Sequence, residues 1–412
     1  MWSVAVALVV GTTHPDWRTW AQPSLIEAAS QFHSPLEHSL PIPRRVGDSN
    51  AAAREGIRHS LRRSLQADRM RDERYSEWMA KLSLADALQL YSEVLTQLAI
   101  KSPDAVEVSA LFSEGAVEFE RATFDERFRT ARLSGLSVDF VRSEVRRVVL
   151  AGKVRSVAEA RSELRELVVR FVTMAPRADG VAITMQFVDG ACAAIDEWTM
   201  IRPPELAIDD RETITSIMLA DREIGYLRVL SFRESTVSEF NRAVIMLVHQ
   251  GAKSLIVDLR GNSGGLLKAG IELSQRLLPH GEILRTVGRD PAFDGRIVSS
   301  DSGFLSLPIP LVVLIDSKTM STAEIVAMAI QSNGRGRLVG MPTHGKGRVQ
   351  TAVELKAGAK AVLIVTVATL TDPTGRSLAG RPVSPDLRNP DPDQQLKAAI
   401  AEAKSSIHMR LP

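Results

Sequence analysis

The sequence predicts an α/β core preceded by an all-helical region. Three observations carry that division. Between Tyr75 and Arg177 the apolar residues Leu84, Leu88, Tyr91, Leu95 and Leu98 recur near three- and four-residue spacings, in a background rich in Ala, Leu, Glu and Arg. From Gly225 onward short apolar runs alternate with amphipathic stretches, which is the order of strands and helices in a layered α/β fold. Ile309 to Ile315 is continuously apolar, as expected of a strand buried on both faces.

The chain has 412 residues, room for two or three domains, and 44% hydrophobic with 24% charged content is ordinary for a folded protein. A formal charge of +2 gives no argument for nucleic acid. The single cysteine, Cys192, has no partner for an intramolecular disulfide and reads as a small buried residue.

In chain order, residues 2–10 form an apolar stretch the length of a signal-peptide core, without a preceding Lys or Arg or a clear A-x-A site after it. The stretch is too short to span a bilayer, and we expect an export signal over a cytoplasmic location. Residues 1–45, with Pro15, Pro23, Pro35, Pro41 and Pro43, read as leader and tether. Arg58, Arg62, Arg63, Arg69, Arg71 and Arg74 read as a solvated helical face. Residues 46–200 form the helical region, punctuated by Pro103, Gly135, Gly152 and Pro176, and it offers a surface for oligomer formation.

The core is expected over residues 201–392, with a C-terminal helix and tail over 393–412. Gly225–Phe232 reads as a strand and Val237–Gln250 as a helix with Phe240, Val244, Leu247 and Val248 on one face. Lys253–Leu259 is the next strand and Leu266–Leu278 the next helix. After the Ile309–Ile315 strand come a helix beyond Ser321 and strands at Arg337–Val339, Val349–Leu355 and Val362–Leu370. Such alternation implies largely parallel pairing, with functional residues at strand C-terminal ends. Asp258-Leu259-Arg260 reads as a structural turn held by an ion pair.

Ser321-Thr322-Ala323-Glu324 lies between a strand and a helix. A capping box would explain Ser321 and Glu324 by themselves. The unpaired N–H groups of a first helical turn would also stabilise negative charge developing beside the serine. Lys346 stands between Gly345 and Gly347, ahead of a strand. Gly340 to Lys346 matches most of a phosphate-binding loop, but Gly347 occupies the place of the required Ser or Thr and no helix follows. The eight histidines show no metal-binding spacing, and neither metal nor cofactor is expected.

Taken together, Thr319-Met320-Ser321-Thr322-Ala323-Glu324-Ile325 and His344-Gly345-Lys346-Gly347-Arg348-Val349-Gln350 resemble the carboxyl-terminal processing (tail-specific) serine proteases of family S41. Further matches are Gly225–Phe232, Asp258–Gly265, Asp372–Arg376 and Ser384-Pro385-Asp386, so the resemblance runs from Glu223 to Leu387. It implies a crotonase-like mixed sheet with helices, Ser321 as nucleophile, Lys346 as general base, Gln350 orienting the lysine, and backbone N–H groups of Gly264 and Thr322 holding the oxyanion. Lysine can act as a base near neutral pH only if its surroundings depress its pKa. Glu324 has two readings, a helix cap or a support for the site, and the cap is preferred.

Three departures from the family stand out. Ala194-Ile195-Asp196-Glu197-Trp198-Thr199 is a degraded form of the family's L-D-P-x-S motif, and the short stretch Met200–Ile224 leaves no room for the usual PDZ domain. A PDZ domain reads substrate tails by strand addition, so its absence affects substrate choice. His344 replaces the usual phenylalanine, which leaves a Ser–His arrangement open beside Ser–Lys. The resemblance implies an endopeptidase acting on flexible or unfolded polypeptide; the alternative is an S41-like binding protein without catalysis.

Overall fold

The computed structural model describes residues 73–204, 211–219, 223–299, 309–372 and 375–408. The expected leader, the tether and most of the arginine run lie outside them. The chain divides into two compact units: a helical unit, described over 73–204 and 350–367, and an α/β unit, described over 211–349 and 368–408 with the three internal gaps above.

The helical unit carries α1 (Glu73–Ala80), α2 (Leu84–Lys101), α3 (Val108–Ala122), α4 (Glu126–Arg132), α5 (Val138–Leu150), α6 (Val157–Met174) and α7 (Gly180–Ile195). Pro103, Gly135, Gly152 and Pro176 all fall in gaps between these helices. Starts are set by side-chain caps: Ser83, Asp125, Ser137, Ser156 and Asp179 each accept a first-turn N–H. Helix α7 is the axis of the unit, buried continuously from Ala182 to Cys192. Phe187 on it stacks against Phe112 and Phe119 at 5.5 and 5.9 Å. Helices α3 and α7 meet at Gly115 and Gly190, where a Cβ on Gly190 would lie 2.4 Å from the Glu114 carbonyl. The strand β1 (Met200–Arg202) follows and pairs antiparallel with residues 362–364.

The α/β unit is built on a six-stranded sheet of β2 (Ile214–Leu219), β3 (Ile224–Val229), β4 (Ser254–Asp258), β7 (Leu311–Ile315), β8 (Arg337–Gly340) and β11 (Leu387–Arg388). Its order is β11-β8-β7-β4-β3-β2, parallel throughout except for the antiparallel edge strand β2. Strands β4 and β7 are buried at every position. One face packs on α8 (Thr236–His249), α9 (Leu267–Leu277) and α10 (Thr322–Ser332) through Leu227, Val257, Val313, Phe240, Leu273 and Val326. The other packs Ile256, Val312 and Leu314 on Ala399, Ala403 and Ile407 of α11 (Pro392–His408).

Parallel pairing holds for this sheet but not for the whole unit. Strands β5 (Gly281–Gly288) and β6 (Gly295–Ser299) form an antiparallel hairpin, and residues 368–371 of β10 (Val362–Thr371) pair antiparallel with β5. Neither hairpin strand was visible as a run, because Glu282, Arg285, Thr286 and Arg296 interrupt the apolar pattern. The remaining strand, β9 (Arg348–Glu354), begins just after Lys346.

Register fixes what the sheet presents at one end. Asp258 pairs with Leu314, so the turns leaving β4 and β7 emerge side by side. Gly190→Ala should destabilise the helical unit by about 1–3 kcal/mol, because the methyl meets backbone that cannot yield. Urea unfolding followed by circular dichroism measures this.

Candidate active site

The turn after β7 is held by short local bonds. Asp316 accepts the N–H groups of Gly261 and Lys318, each at 3.0 Å, and Thr319 Oγ1 donates to the Leu259 carbonyl at 2.9 Å. The Met320 N–H donates to the Asn262 carbonyl at 2.9 Å. These bonds stitch the turn to its neighbour after β4. Ser321 then adopts φ 58° and ψ −122°, the one non-glycine residue of the described α/β unit with positive φ. A serine there costs roughly 1–3 kcal/mol, and such strain persists only where surrounding structure over-determines it. Thr322 opens α10, and a first-turn N–H has no carbonyl partner within its own helix.

Glu324 proves to be more than the cap expected of it. Its buried carboxylate accepts the Ser321 N–H at 2.8 Å and the Lys346 N–H at 3.0 Å on one oxygen. The other oxygen accepts the Gly345 N–H and the Thr343 hydroxyl, both at 2.6 Å. The backbones of Ser321 and Lys346 therefore share one acceptor atom. The two residues are brought together although 25 positions separate them.

The lysine loop is fixed from its other side as well. The His344 N–H donates to the Thr319 carbonyl at 3.0 Å. Gly345 and Gly347 both have positive φ, and a Cβ on Gly347 would lie 2.3 Å from the Ala379 nitrogen. Glycine is required there, since the loop is pressed against residues 378–382 and their backbone cannot give way. Lys346 itself is half-buried.

Gly264 presses on the serine: a Cβ there would lie 2.8 Å from Ser321 Cβ and 3.1 Å from the Thr322 nitrogen. Its N–H, however, donates to Asn262 Oδ1 at 2.8 Å, which commits it within its own turn. The next residue faces the other way. Phe232 bonds the Gly264 carbonyl and the Leu266 N–H, at 3.0 and 2.8 Å, so Gly265 turns its own peptide groups away from Phe232. The Gly265 carbonyl accepts Thr322 Oγ1 at 2.9 Å, at the start of α10.

Gln350 lies in the helical unit, where its Nε2 donates to the Trp198 carbonyl at 2.6 Å. Asp258 has the structural part expected of it: it is paired with Arg260 at 2.6 Å and accepts the Tyr226 hydroxyl at 2.6 Å. Burial and that bond push the Tyr226 phenol up to about 12. Ser384-Pro385-Asp386 is structural too, with Asp386 accepting Gln331 Nε2 at 2.9 Å and the Leu338 N–H at 2.7 Å. No group of three His, Cys, Asp or Glu side chains among the described residues could hold a metal ion. Sequence reasoning missed Asn262 and Thr343. The first was signalled by an amide residue inside a Gly-rich turn; the second had no local signal, since its partner Glu324 is distant in sequence.

Two stability changes follow from this geometry. Ser321→Gly should raise the unfolding free energy by about 1 kcal/mol through relief of the positive φ. Glu324→Ala should lower it by roughly 3 kcal/mol or more, at about 1–3 kcal/mol for each buried donor left unpaired. Urea titration of both variants separates the two signs.

Comparison with known proteins agrees with the motifs. The sequence profile of Peptidase family S41 matches residues 223–388. The chain is 35% identical over 167 residues to the chloroplastic carboxyl-terminal-processing peptidase 1 of Arabidopsis thaliana, covering 40% of this chain and 33% of that protein. It is 38% identical over 164 residues to a carboxyl-terminal-processing protease of Picosynechococcus sp., covering 40% and 38%. A solved photosystem II D1 C-terminal processing protease is similar at a TM-score of 0.39 and 26% identity, over 47% of this chain and 53% of that one. The chain thus spans about a third of the length of the curated relatives it matches. No described helix is long and apolar enough to cross a membrane. Residues 223–388 are a Peptidase family S41 domain.

Proposed function

We propose that the chain is a serine endopeptidase that hydrolyses flexible or unfolded polypeptide through an acyl-enzyme. The observation that carries this reading is the Glu324 oxygen that bonds the backbones of Ser321 and Lys346 together, setting a hydroxyl and an amine on two adjoining rigid turns. A structural cap has no need of the lysine loop.

Ser321 Oγ attacks the scissile carbonyl while neutral Lys346 takes its proton, and the lysine then delivers that proton to the leaving amine. Water repeats the sequence on the ester and frees Ser321. The tetrahedral oxyanion is held by the Thr322 N–H and, with the Gly264 N–H committed to Asn262, by the Gly265 N–H. Gln350 orients the lysine. The 35% and 38% identical relatives carry processing-protease names, which favours a polypeptide substrate here as well.

The test is cleavage of fluorescein-labelled casein by the purified chain beside Ser321→Ala and Lys346→Ala. Loss of turnover to background in both variants supports the reading. Loss with Ser321→Ala and survival with Lys346→Ala moves the base elsewhere, His344 first. A folded parent that cleaves nothing overturns the reading in favour of binding without catalysis. Because the reactive lysine must be neutral, kcat/KM should fall as pH drops below the lysine pKa, giving an acid limb in the pH profile.

A further inference from the structure

The six-stranded sheet has two unlike edges. Strand β11 closes one of them with only two residues, Leu387 and Arg388, too short a run for another chain to extend. The other edge is β2, six residues long, with an unbroken register to β3 and no described strand on its far side. Its sequence, Ile-Thr-Ser-Ile-Met-Leu, holds no charge and no proline, and Ile217 is 59% exposed. Edge strands ordinarily carry a charge, a proline or a bulge that stops them from pairing with another chain. Strand β2 carries none, which leaves it open to strand addition.

The phase of the ladder shows which groups are free. The Leu230 N–H donates to the Thr213 carbonyl at 2.8 Å, and bonded pairs alternate along an antiparallel ladder. Thr215, Ile217 and Leu219 therefore bond to β3, while Ile214, Ser216 and Met218 turn their peptide groups outward. The Ile214 N–H agrees with this phase, since it donates to Glu239 Oε2 of α8 at 3.0 Å. The Ile214 carbonyl and the N–H and carbonyl groups of Ser216 and Met218 have no partner among the described residues.

What fits this edge is the strand itself. The outward residues lie symmetrically about Ser216, so a two-fold axis there sets Ser216 opposite Ser216 and Ile214 opposite Met218 of an antiparallel copy. Two bonds join the Ser216 residues, and each Met218 N–H reaches the partner's Ile214 carbonyl. On the α8 side Ile214 meets Met218, and on the other side Thr215 meets Ile217, pairings that strands favour. Nothing charged lies between Thr213 and Leu219 to be set against its like. Helix α8 runs along β2, from Glu239 beside Thr213 to Leu247 against Gly225, which pairs with Met218. Met246 falls on the same stripe of α8 as Glu239, is 58% exposed, and gains cover from an added strand.

We propose that β2 is the interface of a homodimer, joining two six-stranded sheets edge to edge into one. An unrelated peptide gains the same backbone bonds but neither the matched side chains nor the doubled contacts of a two-fold axis, so a second copy is the occupant. Because β2 meets its copy antiparallel, the ends of the two sheets that carry Ser321 face opposite ways. The proposal uses no residue of the site and stands apart from the peptidase reading.

Sedimentation velocity on the purified full chain, up to about 100 µM, is expected to give twice the 45.0 kDa of one chain. Ser216→Pro removes an outward N–H and no bond to β3, and should raise the dimer Kd about tenfold or more with the circular dichroism unchanged. Ile217→Lys sets like charges beside the axis and should act in the same direction. Ser216→Cys places two thiols across the axis and should give a covalent dimer on oxidation, whereas Leu150→Cys, at an 84% exposed position of the helical unit, should give none above collision background. A parent that stays monomeric at that concentration overturns the proposal, and a raised KM for peptide in Ser216→Pro would then give the edge to substrate. A dimer that persists in folded Ser216→Pro and Ile217→Lys, or that crosslinks no better through Ser216→Cys than through Leu150→Cys, overturns it too and moves the interface to another surface. Should Ser216→Pro not fold, Ile217→Lys and the crosslink decide.

Discussion

One buried carboxylate sets the geometry of the site. Glu324 sits on the first turn of α10 and gathers donors from the serine, from the lysine loop and from Thr343. An ionised group in that position would be costly without partners, since burial in a poor dielectric opposes charge. Four donors at 2.6 to 3.0 Å meet that cost, and each becomes fixed in doing so. The carboxylate is thus a rigid junction more than a reacting group. It converts two separate loops into one surface.

The sheet supplies the platform on which that junction works. Parallel strands with adjoining C-terminal ends place the turns after β4 and β7 in contact, and Asn262 is the pin between them. Its carbonyl takes the Met320 N–H, its Nδ2 donates to the Val229 carbonyl at 2.9 Å, and its Oδ1 holds Gly264. Such full bonding leaves the turn no freedom to relax away from Ser321. The unfavourable backbone at the serine is sustained by bonds several residues away, as expected of strain at a functional site. Only a residue without Cβ fits at Gly264, because the serine occupies that space.

Much of this was legible in the sequence, for reasons that differ from residue to residue. Strands β4 and β7 could be read because a strand buried on both faces leaves an uninterrupted apolar run. The serine and lysine turns could be read because glycine and the S-x-x-E pattern mark special backbone. Hairpin β5–β6 could not, since its half-exposed strands mix charge into the pattern. Nor could the bond that takes up the Gly264 N–H, which depends on the side chain of Asn262. Glu324 was assigned by local spacing to a local bond, and its distant partners are a product of the fold. Asp258 was read correctly as structural from an acidic and a basic residue flanking a strand end.

The clasp at Asp258 also bears on how the molecule comes to be made. Arg260 bonds not only Asp258 but also the Pro392 carbonyl at 3.1 Å and Gln395 Oε1 at 3.2 Å, both on α11. That helix is also what shields Ile256, Val312 and Leu314 from water. During synthesis β2, β3, β4, β7 and β8 and the turns of Ser321 and Lys346 leave the ribosome well before α11 does, with one face of the sheet still bare. The strand end beside Asn262 gains its last anchor only when α11 arrives. A nascent chain therefore holds Ser321 and Lys346 in sequence before this last anchor can help to hold the strand end rigidly in place.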